Sequence, residues 1–288
     1  MESAAILAIR TSIFLIVFSL GLGSKQEDAL SLLRRPRQLV RSLLAMNVIM
    51  PLVAVGLAQA FNFRGPVKIA LLALAVSPVP PILPRQQFKA GGHASYTVGL
   101  LVVAAVLAVV FVPLGVEVLG RIFATHSHVP VLTVAGLVAI TVLVPVTLGI
   151  IVRRRAPAFA ARAARPIAAG ANLLLIAVCL LLLVGAWPVV VALIGNGDVL
   201  ALAAFVAIGL AVGHLLGGPD PDDRSVLALA TASRHPGVAL AIAAAAFPKQ
   251  KLVIGAILLY LFVGFIVSMP YVMWRRRQLA AAAEAGKH

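Results

Sequence analysis

Arg234 and His235 stand side by side inside an apolar stretch, residues 225–248, that reads SVLALATASRHPGVALAIAAAAFP. Thr231, Ser233, Pro236 and Gly237 complete its polar centre. An arginine in hydrocarbon is expensive and ordinarily faces a cavity, a substrate or a partner. Its planar fork of donors suits a carboxylate, held through two parallel hydrogen bonds. The same donors suit backbone carbonyls freed where a helix breaks. Pro236 predicts such a break, because it lacks an N–H and clashes with the preceding turn. Anion clamp and structural tie therefore both stand open for Arg234, as overlapping roles. His235 either titrates near neutral pH, coupling the site to protons, or is satisfied by backbone. The helix that starts after Pro236 would add free N–H groups facing an anion.

Catalytic chemistry finds little footing. No HExxH, GxSxG or Walker-type motif occurs, and the apolar stretches hold almost no carboxylate to serve as a base. Asp220 to Asp223 read as an ordinary solvated turn. His126 and His128, two apart on a loop, are too few for a metal site, and Cys179 reads as a small apolar filler. The chain is expected to be no enzyme and to hold no metal or organic cofactor. Asn47, Gln59, Asn172 and His214 read as polar groups that tie helices together.

A second interrupted stretch occurs earlier, where residues 72–84 read LALAVSPVPPILP. Pro78, Pro80, Pro81 and Pro84 forbid a regular helix, and Ser77 lies at the point where the helix must end. Backbone released at that depth must be buried in protein or line a wet cavity. Two interrupted apolar segments at corresponding places in two halves point to a secondary transporter, with Ser77, Pro78, Pro80 and Pro81 facing the second break.

The elements that carry these residues span a membrane. The chain has 288 residues, 62% hydrophobic and 11% charged, with mean hydropathy +1.08; soluble domains average about 25% charged. Nine spans follow from apolar runs near the roughly 20 residues a bilayer requires. They cover residues 4–23, 38–61, 67–84, 93–119, 129–152, 166–187, 199–217, 225–248 and 252–274. Arg10 is expected to snorkel to the interface. Arg153 to Arg165 read as a basic connection with a short interfacial helix, and Arg275 to Arg277 as the stop of the last span. Seventeen of the 24 lysines and arginines fall in loops of one side. The positive-inside rule then puts the N-terminus outside and the C-terminus in the cytoplasm. The net charge of +15 thus reflects membrane topology rather than nucleic-acid binding. The N-terminus lacks a basic leader and reads as retained.

Leu72-Ala73-Leu74-Ala75 precedes the first break and Leu227-Ala228-Leu229-Ala230 the second, and the two broken spans enter from opposite sides. That is the pattern of an inverted repeat. The expected division is residues 1–127 as a first repeat lacking one helix and 128–288 as the second, with core elements 67–119 and 224–274.

In the order and spacing of its RRPR loop, SPVPPILP and HPGVALAIA segments, the chain resembles the bile acid:sodium symporter family. The likeness spans nearly the whole chain. It implies an all-α membrane fold of inverted repeats, with a panel and a core domain whose broken helices cross near the bilayer centre. It also implies carriage of organic anions, usually with sodium. Aligned on Gly237, Ala230 stands where relatives have a Glu and Arg234 where they have a Gln. Leu83 and Pro84 stand where small polar ligands are usual. Sodium requires a cage of oxygens, so sodium coupling is not carried over, although carbonyls, Ser77, Thr231 or Ser233 remain available. The expected partners are a small organic anion and the lipid bilayer, with the oligomeric state open and a bacterial plasma membrane as location. The alternative is a non-transporting sensor or scaffold on a carrier fold.

Overall fold

A computed structural model of the chain describes residues 2–24, 26–61, 63–122, 131–193, 197–246 and 252–285, and every regular element among them is helical. His126, His128 and the turn at 247–251 lie outside the described residues, as do the side chain of Cys179 and the proposed repeat boundary. Helix α1 is Glu2–Gly23, followed by short α2 (Gln26–Leu30). α3 (Pro36–Leu43) passes through a π-turn, Leu44–Ile49, into α4 (Met50–Ala60). α5 (Gly65–Val76) stops at Ser77, and α6 (Pro84–Lys89) leads to α7 (Ala94–Ile122). α8 (Val131–Val138) joins α9 (Val144–Arg155) through a second π-turn, and α10 is Pro157–Ala192. α11 is Asp198–Leu216, α12 Pro221–Ala232, α13 Pro236–Ala246 and α14 Leu252–Ala285.

Seven helical stretches are long and apolar enough to cross a membrane, and Leu7–Gly23 and Gly65–Val76 add two shorter apolar helices. The outward faces remain apolar, as Leu173, Leu180 and Val184 on α10 and Phe262, Phe265 and Ile266 on α14 show. Such faces suit lipid, which solvates leucine as well as a protein interior does.

Two boundaries differ from the sequence reading. Arg162 and Arg165 do not form a separate interfacial helix: α10 begins at Pro157 and runs without interruption through Pro166. Pro157 sits in the first turn, where its missing N–H is harmless. Nor do Arg275 to Arg277 stop α14, which continues to Ala285. Long basic side chains are good helix formers, so charge ends a membrane span without ending a helix.

Packing explains the arrangement. α1 lies against α9 and α10, α11 lies along α12, and α5 contacts α4, α7, α13 and α14. Gly209, Gly213 and Gly217 recur every four residues along one face of α11 and its C-cap. A methyl group at each would collide with the backbone of Ala232, of Ala228 and of Arg224 respectively, so the two helices meet backbone to backbone. Gly21 and Gly149 make a similar approach between α1 and α9. Small residues at such spacing are how helices approach in lipid, where dispersion rather than the hydrophobic effect holds them.

One end of the bundle carries a polar knot. The Asp220 carboxylate accepts from Asp222 N (2.8 Å) and caps α12. Asp223 accepts from Gln38 Nε2 (2.8 Å) on α3 and lies 3.1 Å from His93 Nδ1. Arg275, buried on α14, donates to Ser225 Oγ (2.6 Å) and Asp222 Oδ1 (2.9 Å). The DPDD segment is therefore a junction of four elements rather than an ordinary turn. At the opposite end Arg64 pairs with Asp198.

His93 is held above its usual range, chiefly by its hydrogen bond to Asp223, against desolvation, with the charges of Asp220, Asp223 and Asp222 adding to the effect. Arg35 (3.8 Å from Asp223) and Arg275 are the cations that face the same carboxylates.

Two outcomes follow. Gly213→Leu forces α11 off α12 and is expected to lower the thermal midpoint in detergent, at an overpacking cost of about 1–3 kcal/mol; an unchanged midpoint would exclude the backbone contact. His93 has a raised folded pKa, so its stabilisation is complete below the unfolded value of about 6.5 and is lost as pH rises through the folded value. The thermal midpoint should fall between mildly acidic and mildly alkaline pH, and His93→Gln should flatten that slope.

Candidate functional site

The two breaks meet, and prolines explain how. In a helical turn each carbonyl accepts from the N–H three to five residues later, and proline has none to give. The partners that Ser77 O would find in a 3₁₀ or α turn are Pro80 and Pro81. Pro78 O loses Pro81 at the 3₁₀ distance, and Ile82, next in line, makes no bond to it while Leu83 N turns to Pro80 O. In the π-turn, Met50 N donates to Ala45 O, and the next donor due, for Met46 O, is Pro51. Ala232 O would accept from Pro236. Four carbonyls are thus left orphaned inside the bundle, and buried carbonyls must be satisfied.

The second break satisfies them. Arg234 donates through one terminal nitrogen to Ser77 O (3.3 Å) and through the other to Met46 O (3.0 Å). His235 N donates to Pro78 O (2.8 Å), a direct main-chain bond between the two breaks. Tyr260 on α14 donates its hydroxyl to Ala232 O (2.7 Å). Arg234 is only 1% exposed. Three elements, the α3–α4 π-turn, the first break and the second, are therefore stapled by one side chain.

The other predicted residues take distinct places. Ser77 is buried, but its hydroxyl turns back to Leu74 O (2.8 Å), so its carbonyl rather than its side chain meets the second break. Pro78, Pro80 and Pro81 are buried in the first break, and Pro84 opens α6. Ser233 is half-buried and closes α12, its N–H donating to Leu229 O (3.1 Å). Pro236 opens α13, while Gly237 N donates to His235 Nδ1 (3.1 Å). Since Nδ1 accepts, the neutral ring carries its hydrogen on Nε2.

Three polar atoms of this break, Thr231 Oγ1, Arg234 Nε and His235 Nε2, are buried and have no partner among the described residues. All three are able to donate, and they lie within five residues. Buried donors without acceptors are rare in folded proteins, so each of these calls for an acceptor, such as a water or a ligand oxygen. Ala230, fully buried one residue before Thr231, contributes no polar atom.

Met46 and Tyr260 were missed by sequence reasoning. Met46 acts through its carbonyl, which no side chain announces; Pro51, five residues on, was the available signal. Tyr260 sits in an otherwise apolar run, with no neighbouring polar residue to single it out. Of the other polar residues considered, Asn172 donates to Ala168 O (2.5 Å) of its own helix rather than across helices, and Gln59 is exposed. His214 pairs with the Tyr271 hydroxyl (2.8 Å), at the α11–α14 contact and away from the breaks.

The family model described as Sodium Bile acid symporter family matches residues 11–193, well over half of the chain. The match takes in the first break; the second, with Arg234, lies beyond it. A Bacillus subtilis (strain 168) protein described as an uncharacterized sodium-dependent transporter, YocS, is 27% identical over 141 residues. That alignment covers 48% of this chain and 42% of YocS, so less than half of the relative's length is matched. With its apolar helices and this match, the chain is an integral multi-pass membrane protein and belongs to the sodium bile acid symporter family, a family of transporters rather than enzymes.

Proposed function

We propose that this chain is a secondary carrier of a small organic anion, working by alternating access, with its site between the two breaks. The observation that carries the reading is Arg234: a buried guanidinium with an unspent Nε–H, between two further unspent groups at Thr231 and His235. A carboxylate oxygen would accept from that Nε–H in a charge-assisted bond, while the two terminal nitrogens stay on Ser77 O and Met46 O. Ser77, Pro78, Pro80 and Pro81 form the opposite wall, and Ser233, Pro236 and Gly237 complete the near one. The division of labour follows the packing. α5 to α7 and α12 to α14 would form the core, moving against a panel that includes α1, α9 and α10.

Sodium dependence is stated of YocS, and Arg234 argues for a different arrangement here. A sodium ion at this crossing would draw on carbonyl oxygens, yet those of Ser77 and Met46 already accept from Arg234. Ala230 has no side-chain oxygen to offer. In our reading the guanidinium does the work of a bound cation, tying the breaks together and presenting positive charge to the substrate.

In proteoliposomes, replacing sodium by choline should leave uptake of the transported anion unchanged; strict sodium dependence would overturn the role given to Arg234. Arg234→Gln should lower uptake by roughly ten-fold or more, as expected for loss of a charge-assisted hydrogen bond of about 1.5–3 kcal/mol. Arg234→Lys, which keeps the charge and loses the fork, should fall between; equal activity of all three forms would remove Arg234 from the site.

A further inference from the structure

We infer that the protein is an obligatory anion exchanger, because Arg234 crosses the closed state of the cycle only with an anion beside it. The inference rests on the carrier reading above and adds to it a mode of transport.

The argument concerns charge rather than hydrogen bonding. The groups that hold Arg234 are the carbonyls of Ser77 and Met46, which are dipoles and carry no net charge. The chain has nine acidic residues, and they are placed at helix ends and loops. Several spend their charge elsewhere: Glu117 on Arg121, Asp198 on Arg64, Asp222 on Arg275, Asp220 on His93, and Asp223 on His93 and Arg35. Among the described residues no carboxylate lies within ion-pair distance of Arg234. From Arg224 to Met273 the sequence contains no acidic residue at all. Among the described residues, the positive charge at the centre of the crossing therefore has no carboxylate counter-charge beside it.

Alternating access makes that imbalance matter. Arg234 is closed off from water in this conformation; in a state open to either side, water and dissolved anions would screen the guanidinium. Between the two open states the site must close, water is excluded, and an uncompensated buried charge becomes costly. An anion that closes with the site removes the cost by forming the pair that the chain lacks. The loaded carrier then crosses readily in both directions, whereas the empty carrier crosses slowly. A carrier whose empty form cannot return transports only by exchange. One monoanion moving in for one moving out displaces no net charge, so the exchange should also be insensitive to membrane voltage.

The full chain, purified and reconstituted into phosphatidylethanolamine/phosphatidylglycerol vesicles, tests this with radiolabelled taurocholate and radiolabelled pyruvate as probes. Uptake is compared between vesicles preloaded with the same unlabelled anion and vesicles free of it, with and without a potassium diffusion potential set by valinomycin. Obligatory exchange gives uptake roughly ten-fold or more faster in preloaded vesicles, the penalty of an unpaired buried charge being confined to the empty carrier, and no response to voltage. Uptake of either probe that is equally fast without preloading overturns exchange and leaves the carrier reading standing. Uptake of both probes in neither condition overturns the carrier reading and exchange with it. Arg234→Lys keeps the charge and should keep the dependence on preloading. In Arg234→Gln, checked for a monodisperse elution profile, the residual uptake should lose it; persistence there would assign the effect to another group.

Discussion

What the structure depends on is a set of missing donors. Pro51, Pro80, Pro81 and Pro236 each remove an N–H from a helical register, and the carbonyls they abandon lie inside a membrane protein. Water satisfies such groups at a surface; in hydrocarbon the protein must do so itself. Arg234, His235 N–H and Tyr260 perform that task, and in doing so they bring the π-turn, the two breaks and α14 to one place. The breaks are therefore more than interruptions. The first break and the π-turn offer acceptors, and the second break and α14 supply the donors that meet them.

This also bears on why the crossing was legible and its surroundings were not. Prolines in a row and an arginine in an apolar run are compositional anomalies, visible because hydrocarbon tolerates so few of them. The meeting of residues near 77 with residues near 235 was expected from paired breaks, and the bond from His235 N to Pro78 O realises it. The contribution of Met46 was invisible in a different way: main-chain carbonyls are the same in every residue, so only the register relative to Pro51 distinguishes this one. Glycine contacts were equally quiet, since Gly209, Gly213 and Gly217 acquire meaning only when α12 is laid against them.

Charge misled where topology explained it too easily. Arg275 was absorbed into a basic cluster marking the end of a span, yet it is buried and bonded to Ser225 and Asp222. Asp220 to Asp223 looked like solvated acid in a turn because nothing nearby in sequence opposes them. Their partners, Gln38, His93 and Arg275, come from three separate stretches. A local reading of charge weighs neighbours along the chain, whereas the energetics weighs neighbours in space.

The length of α14 has a mechanical consequence. It is a single helix of 34 residues, touching the crossing through Tyr260 and the polar knot through Arg275. Those two residues are fifteen apart, a separation of about 22 Å at about 1.5 Å per residue, and Pro270 lies between them. Both ties end on α12, Tyr260 at Ala232 O and Arg275 at Ser225 Oγ and Asp222 Oδ1. The long helix is thus pinned to α12 at two distant points, which sets the pair against sliding past one another.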